Sequence, residues 1–317
     1  MSFSSEVKDE LSRQFPGARH CQISELAAIF SLCGSIMIAA DNSFALKVVT
    51  ENVIVARKFY KLLKPAFDVE AEITITPSNR LNKSNVYTVI IRKNESALRI
   101  LQAFRIVCSN GEIPDEIKIG SLITQQTCCK RAFIRGAFLS AGSISDPNKF
   151  YHLEIVCNTK NKALQLRDMI NSFSLDSKVV SRKKNYVVYI KEGTQIVEML
   201  NVMEAHIALM NLENVRILKE MRNSVNRRVN CETANSNKTV VAAVKQIKDI
   251  EYIRDTVGLE SLSEGLAEVA RVRLENPDVP LKDLGMLLTV PVGKSGVNHR
   301  LKKISEIAES LRGNKEE

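Results

Sequence analysis

The sequence predicts an α+β protein in two parts. A duplicated domain of two αββαββα repeats comes first, and an all-α domain ending in a helix-turn-helix follows. Three observations carry this. Two helical segments rich in small residues recur at a constant offset. Each is followed by strand and helix signals in the same order. The last quarter of the chain loses the strand signals and keeps only helical periodicity.

At 317 residues the chain suits two or three domains. With 44% apolar and 26% charged residues it can bury a real core and is not a disordered chain. Aromatics are only 5% and tryptophan is absent, so the cores must rest on Ile, Leu and Val. A net charge of +9 and a pI near 9.2 favour a polyanionic partner without distinguishing DNA, RNA or an anionic surface. No apolar run reaches the roughly 18 residues of a membrane span, and Met1–Gln14 lacks a secretory apolar segment. The expected location is the cytoplasm, and with DNA as the polyanion it would be at the nucleoid. The seven cysteines form no C-x-x-C pair and the four histidines are scattered, so the expectation is reduced, packed thiols with no metal and no cofactor. Cys128–Cys129, the adjacent pair, reads as packing at a helix start.

Residues 1–18 form an N-terminal helix, capped at Ser4 or Ser5, with Phe3, Val7 and Leu11 inward and Pro16-Gly17 as its stop. The duplicated domain spans 19–225, with repeats at 19–115 and 128–210. Cys21–Gly34 (CQISELAAIFSLCG) and Cys129–Gly142 (CKRAFIRGAFLSAG) stand 108 residues apart at both ends (129 − 21 and 142 − 34). Both are apolar, and both close with Gly-Ser. Phe44–Thr50 and Tyr151–Cys157 then alternate as strands, helices follow around Leu62 and Met169, and each copy adds a hairpin. These hairpins are Ala71–Thr76 with Val86–Ile91, and Ser177–Ser181 with Tyr186–Ile190. Helices around Ala97–Val107 and Gln195–Leu209 end the copies. Small residues (Ala27, Ala28, Gly136, Ala137, Ala141) let the repeated helices cross closely on a pseudo-twofold axis, with the two sheets flanking them as a basic saddle.

Lys178, Arg182, Lys183, Lys184 and Lys191 fall on one hairpin, and Arg80, Lys83, Arg92 and Lys93 on its counterpart. They could hold DNA phosphates through counterion release, or simply blunt a sheet edge. Val215–Lys238 carries Arg216, Lys219, Arg222, Arg227 and Arg228, with Glu220 the single acid up to Arg228, before becoming asparagine-rich. This predicts a basic helix running into a linker over 226–238. The helix-turn-helix domain spans 239–312. Val240 to Val257 marks an amphipathic helix stopped by Gly258, and a second helix covers Ser263–Glu275.

In the tail, Leu281, Leu284, Leu287 and Leu288 give one helix an apolar stripe, and Thr289–Gly293 breaks it. Ser295 is the expected N-cap of the next helix, whose inner face is Val297, Leu301, Ile304, Ala308 and Leu311. Its other side presents Lys294, Ser295, Asn298, His299 and Lys302, edged by Arg300 and Lys303, with no acid from 294 to 303. Short polar side chains early in such a helix reach base edges while lysines and arginines hold phosphates. Asn298 is the better base reader, because its amide can serve an adenine edge through two hydrogen bonds. His299 could equally be an ordinary surface histidine, and Arg300 could turn to a neighbouring helix. Backbone contacts from Arg182, Lys183, Lys184, Arg227 and Arg228 would extend the interface.

LAAIFSLCG and IRGAFLSAG resemble the paired LAGLIDADG helices of homing endonucleases. Together with the tail GKSGVNHRLKKI, the stretch NRRVNCETANSNK and the opening SFSSEVKDEL, nearly the whole chain resembles the WhiA family. The resemblance implies a LAGLIDADG-like domain coupled to a C-terminal helix-turn-helix. It also implies duplex DNA as partner and a role in transcription regulation: sporulation in actinobacteria, cell division and chromosome segregation in Firmicutes. The endonucleases need an acid at the end of each motif helix to hold divalent metal. Here that position is Cys33 in one copy and Ala141 in the other, and the earlier acidic position is Ser31 and Leu139. Asp41 and Asp146 are the nearest acids but are not equivalent. The expectation is a DNA-binding regulator with no enzyme activity, aided by transcription machinery or a co-regulator. The alternatives are a metal-dependent endonuclease or an RNA-binding protein.

Overall fold

A computed structural model describes residues 2–40, 43–77, 85–106 and 119–313. It divides into two compact units, 1–219 and 220–317. The first unit opens with α1 (Phe3–Ser12), whose cap is Ser2 rather than Ser4 or Ser5, because the Ser2 hydroxyl accepts from the Ser5 amide. Val7 and Leu11 are fully buried.

The two repeats follow in the expected order. The first is α2 (Arg19–Cys33), β1 (Gly34–Ile38), β2 (Phe44–Thr50), α3 (Val53–Phe67), β3 (Glu72–Pro77), β4 (Asn85–Ile91) and α4 (Asn94–Ala103). The second is α5 (Thr127–Ala141), β5 (Gly142–Ile144), β6 (Leu153–Cys157), α6 (Lys160–Asn171), β7 (Lys178–Arg182), β8 (Asn185–Ile190) and α7 (Gly193–Met203). Each repeat closes one antiparallel sheet, ordered β1-β2-β4-β3 and β5-β6-β8-β7. Alternation sets the register: in β6, Leu153, Ile155 and Cys157 point into the core while Glu154 and Val156 are half-buried. One continuous apolar core joins both repeats.

At the centre α2 packs on α5, and both are buried along most of their length. Gly136 permits the approach. A Cβ there would stand 2.6 Å from the Glu25 carbonyl oxygen and 3.0 Å from the Cβ of Ala28, the residue at the equivalent position 108 earlier. Beside this crossing lies an ionic group with little access to water. Glu25 meets Lys58 of α3 at 3.2 Å and Arg135 of α5 at 3.3 Å, and Arg135 also reaches Glu204 at 2.6 Å. Burial pulls the Lys58 ammonium below its ordinary range, opposed by Glu25. Burial also works against Arg135, yet Glu25 and Glu204 together hold its pKa above the usual value.

Helix α8 (His206–Thr256) begins where the Glu10 carboxylate accepts from the Ile207 and Ala208 amides, at 2.8 and 2.9 Å. It continues unbroken through 226–238, where a linker was expected. That segment is polar but holds no proline or glycine. Asparagine costs a helix less than glycine does, so nothing in it forces an end. The second unit's core joins Ile250 and Ile253 of α8 to α9 (Glu264–Glu275), α10 (Leu281–Met286) and α11 (Lys294–Gly313). Val240, Val244 and Val257 of the expected stripe are exposed instead. Gly258 ends α8 with φ +79°, a conformation that favours glycine.

Candidate nucleic-acid interface

In the second unit, Leu284 of α10 with Leu288 just beyond it, and Val297, Leu301, Ile304 and Ala308 of α11, are buried in the core. Leu287, expected in the first stripe, is 52% exposed because α10 is only six residues long and has ended before it. The turn folds back tightly. The Val292 amide donates to the Gly285 carbonyl at 3.0 Å, and a Cβ on Gly285 would meet the Val292 oxygen at 2.0 Å. The Glu268 carboxylate of α9 anchors the turn by accepting from the Thr289 amide at 2.6 Å. Hydrogen bonding from the Thr289 side chain, and then from its amide, holds the Glu268 carboxyl below its ordinary value. Buried Arg273, donating to the Val279 carbonyl at 2.6 Å, fixes the entry to α10.

Ser295 is not the cap of α11. The helix starts one residue earlier, and the Gly293 carbonyl receives the Gly296 and Val297 amides at 2.9 and 3.1 Å. Ser295 therefore stands in the first turn with its side chain outward. Lys294, Ser295, Asn298, His299, Lys302 and Lys303 are all exposed on α11. Among the described residues Lys302 has only the long 3.9 Å contact with Glu306, and Lys294 and Lys303 enter no ion pair. Arg300 departs from the set. It is half-buried and its guanidinium turns back onto α9, 3.4 Å from the Gly265 carbonyl. The far half of α11 is tied to α8 by Arg312–Asp249 at 2.9 Å and Lys245–Glu309 at 3.1 Å. The helix is thus held at its C-terminal half and left open at its N-terminal half. A groove of about 380 Å³ beside that open half brings in Lys238 and Lys282, which sequence reasoning did not place there.

The other expected contacts are dispersed. Arg182, Lys183 and Lys184 make the exposed turn of the β7–β8 hairpin, with Lys183 at φ +55° and Arg182 engaged by Glu154 at 3.4 Å. Arg92 on the matching hairpin pairs with Glu72 at 2.8 Å, and Arg80 and Lys83 lie outside the described residues. Arg227 and Arg228 are exposed on α8.

The ends of α2 and α5, where the endonuclease acids would stand, carry no carboxylate pair. Cys33 is half-buried, with burial raising its thiol pKa, opposed by Ser140 and Lys8. Ser31 and Leu139 are buried, and Lys162 donates to the Ser31 carbonyl at 2.7 Å. Asp146 is exposed and spends its carboxylate on Asn148, at 2.9 and 3.0 Å; Asp41 lies outside the described residues. A thiol, a methyl and two ammonium groups do not fit a hard divalent cation, which wants oxygen ligands.

At the opposite ends of the same helices the structure overturns one expectation. A histidine does stand near paired cysteines: His20 Nδ1 lies 3.1 Å from Cys129 Sγ and 3.3 Å from Cys21 Sγ. The one sign available in the sequence was the repeat itself, since His20 and Cys21 precede Cys128 and Cys129 by the same 108 residues (128 − 20 and 129 − 21).

This arrangement, a duplicated LAGLIDADG-like domain with its acid positions replaced and a helical unit ending in a helix-turn-helix, defines a LAGLIDADG-like protein of the helix-turn-helix class. Residues 19–107 match the WhiA N-terminal LAGLIDADG-like domain, 130–222 the WhiA LAGLIDADG-like domain, and 225–308 the WhiA C-terminal HTH domain. The chain belongs to the WhiA family. It is 51% identical over 313 residues to the probable cell division protein WhiA of Lachnoclostridium phytofermentans, covering 98% of this chain and 100% of that one. It is 49% identical over 317 residues to the protein of the same name from Alkaliphilus oremlandii, with 99% of each covered. Among solved structures it is similar to full-length DUF199/WhiA from Thermatoga maritima, at TM-score 0.59 and 26% identity, covering 98% of this chain and 99% of that one.

Proposed function

We propose that the chain is a sequence-specific duplex-DNA-binding regulator of transcription, acting in cell division and chromosome segregation, without nuclease activity. Relatives named as probable cell division proteins support the process, and the exposed N-terminal half of α11 carries the molecular part. Ser295 and Asn298 are short enough to meet base edges in a major groove, His299 flanks them, and Lys294, Lys302 and Lys303 are placed for phosphates. Arg300 serves α9 rather than DNA. Arg182, Lys183 and Lys184, with Arg227 and Arg228, are accessory phosphate contacts of the same chain. The protein works in the cytoplasm at the nucleoid, where transcription machinery or a co-regulator joins it.

The test is binding of the full chain to random and selected duplexes across a salt series. The expected result is a steep loss of affinity with salt, by about 0.9 log unit per log unit for each phosphate neutralised. A preferred sequence should emerge. Binding with no salt dependence, or with none of the duplexes favoured, contradicts the proposal. Incubation of the same duplexes with Mg²⁺ should leave them intact. Cleavage that disappears in Asp146→Ala would restore an enzyme.

A further inference from the structure

We propose that His20, Cys21, Cys128 and Cys129 form a zinc site that staples the two repeats together at the N-terminal ends of α2 and α5. The four ligand atoms lie within 4.8 Å of one another. A tetrahedral zinc site with bonds of about 2.3 Å to sulfur and 2.0–2.1 Å to nitrogen needs sulfur atoms roughly 3.7 Å apart, so small side-chain rotations close the set. Three sulfurs and one imidazole are a donor set that favours zinc and disfavours hard cations.

The placement argues against chance packing. Each repeat contributes the second and third residues of its central helix, at equivalent positions 108 apart, so the ion would sit on the pseudo-twofold axis. Neither helix is capped by the side chain before it, Ala18 in one and Gln126 in the other. The free amides and positive ends of two helices therefore converge where thiolate charge would gather. Cys21 and Cys129 are buried, His20 and Cys128 exposed, which gives an ion both shelter and an entry path. Ser24 donates to the Cys129 carbonyl at 2.7 Å and fixes the start of α5 against α2. Binding would release the three thiol protons to solvent, leaving zinc with three thiolates and one neutral imidazole. The site stands at the other end of the helix pair from the lost endonuclease acids and is independent of the DNA-binding proposal.

Reduced full-length chain, stripped of metal, is titrated with Co²⁺ and then Zn²⁺ under anaerobic conditions. The expected result is one Co²⁺ per chain, with the visible bands of a tetrahedral ion and near-ultraviolet thiolate charge-transfer bands, both lost when Zn²⁺ displaces it. Cys21→Ser and Cys129→Ser should each weaken binding by more than the roughly 10–100-fold that loss of an outer-sphere partner costs. Cys231→Ser, an exposed cysteine on α8, should leave it unchanged. Zinc should also raise the thermal midpoint of the wild-type chain and chelator should lower it, a readout independent of any variant. Folded wild-type chain without tetrahedral bands overturns the site. So do bands that survive in the Cys21→Ser/Cys129→Ser double variant.

Discussion

The two units handle polar side chains in opposite ways. In the first, Glu25, Lys58 and Arg135 are almost wholly buried and pair their charges beside the α2–α5 crossing, and the Lys58 ammonium also donates to the Gln14 carbonyl. In the second, Arg273 and Asp249 are the buried charges among the described residues, and Lys294, Lys302 and Lys303 of early α11 stand in solvent while Arg300 turns back onto α9. A buried ion group repays its desolvation only through tight mutual geometry, so its members hold the fold. An exposed set without partners contributes little to folding and is free to meet something else. Burial therefore marks charges that must serve the scaffold, whereas an exposed charge is free for a ligand only where it also lacks a close partner.

The sharpest way to break that contrast is Glu25→Ala, which leaves two cations buried against each other. The expected loss of stability is about 3–5 kcal/mol, the usual cost of removing one partner from a buried pair. Chemical unfolding of the full chain measures it, and a loss no larger than that of an exposed charge would mean water reaches the group. Next comes Gly136→Ala. Its methyl must displace the Glu25 backbone rather than a flexible side chain, so overpacking should cost about 1–3 kcal/mol. The same unfolding curve reads it, and a neutral result would show that the helices can separate freely.

Substitutions on α11 should reverse the pattern, leaving stability within about 0.5 kcal/mol while changing binding. Asn298→Ala is expected to relax preference at one base position by about 1–3 kcal/mol. Lys303→Ala should instead weaken all duplexes alike and reduce the salt slope by about 1. Competition binding on matched and mismatched duplexes separates the two. If Asn298→Ala acts equally on every sequence, Asn298 is a phosphate or packing residue and the base reader lies elsewhere on the helix.

The order of helices and strands in both repeats was legible because the alternation of β2 and β6 and the recurrence of the central helices are local patterns. The outward face of α11 was legible for the same reason, since period and charge sit on one helix. What could not be read depended on contacts far apart in the chain. Glu25 meets Arg135 only after the repeats pair, and nothing around Glu25 signals that it is fully buried. Arg300 looks like another phosphate ligand until α9 lies beneath it. The helix through 226–238 was missed for a different reason: a polar, asparagine-rich stretch resembles a loop in composition, but helix continuity needs only the absence of a breaker once both ends are anchored.

The smallest effect sharpens the comparison from the side of pH. Glu268 is a charge of the second unit that serves the fold while close to solvent, accepting from the Thr289 amide at the turn between α10 and α11. The Thr289 side chain and then this amide depress its pKa in the folded chain, and Arg300 adds to the effect. A carboxylate held below its unfolded value contributes stability above the unfolded pKa, and that contribution fades as pH falls through the folded one. Glu268→Gln keeps an acceptor but removes the charge. Its stability deficit relative to wild type should therefore be present near neutrality and shrink as the pH drops below the ordinary glutamate range, near 4. Thermal midpoints of the pair across an acid series measure this. A deficit that stays constant through that range would show that the Thr289 contact depends on shape rather than charge, and the turn would then be held by Gly285 and Val292 alone.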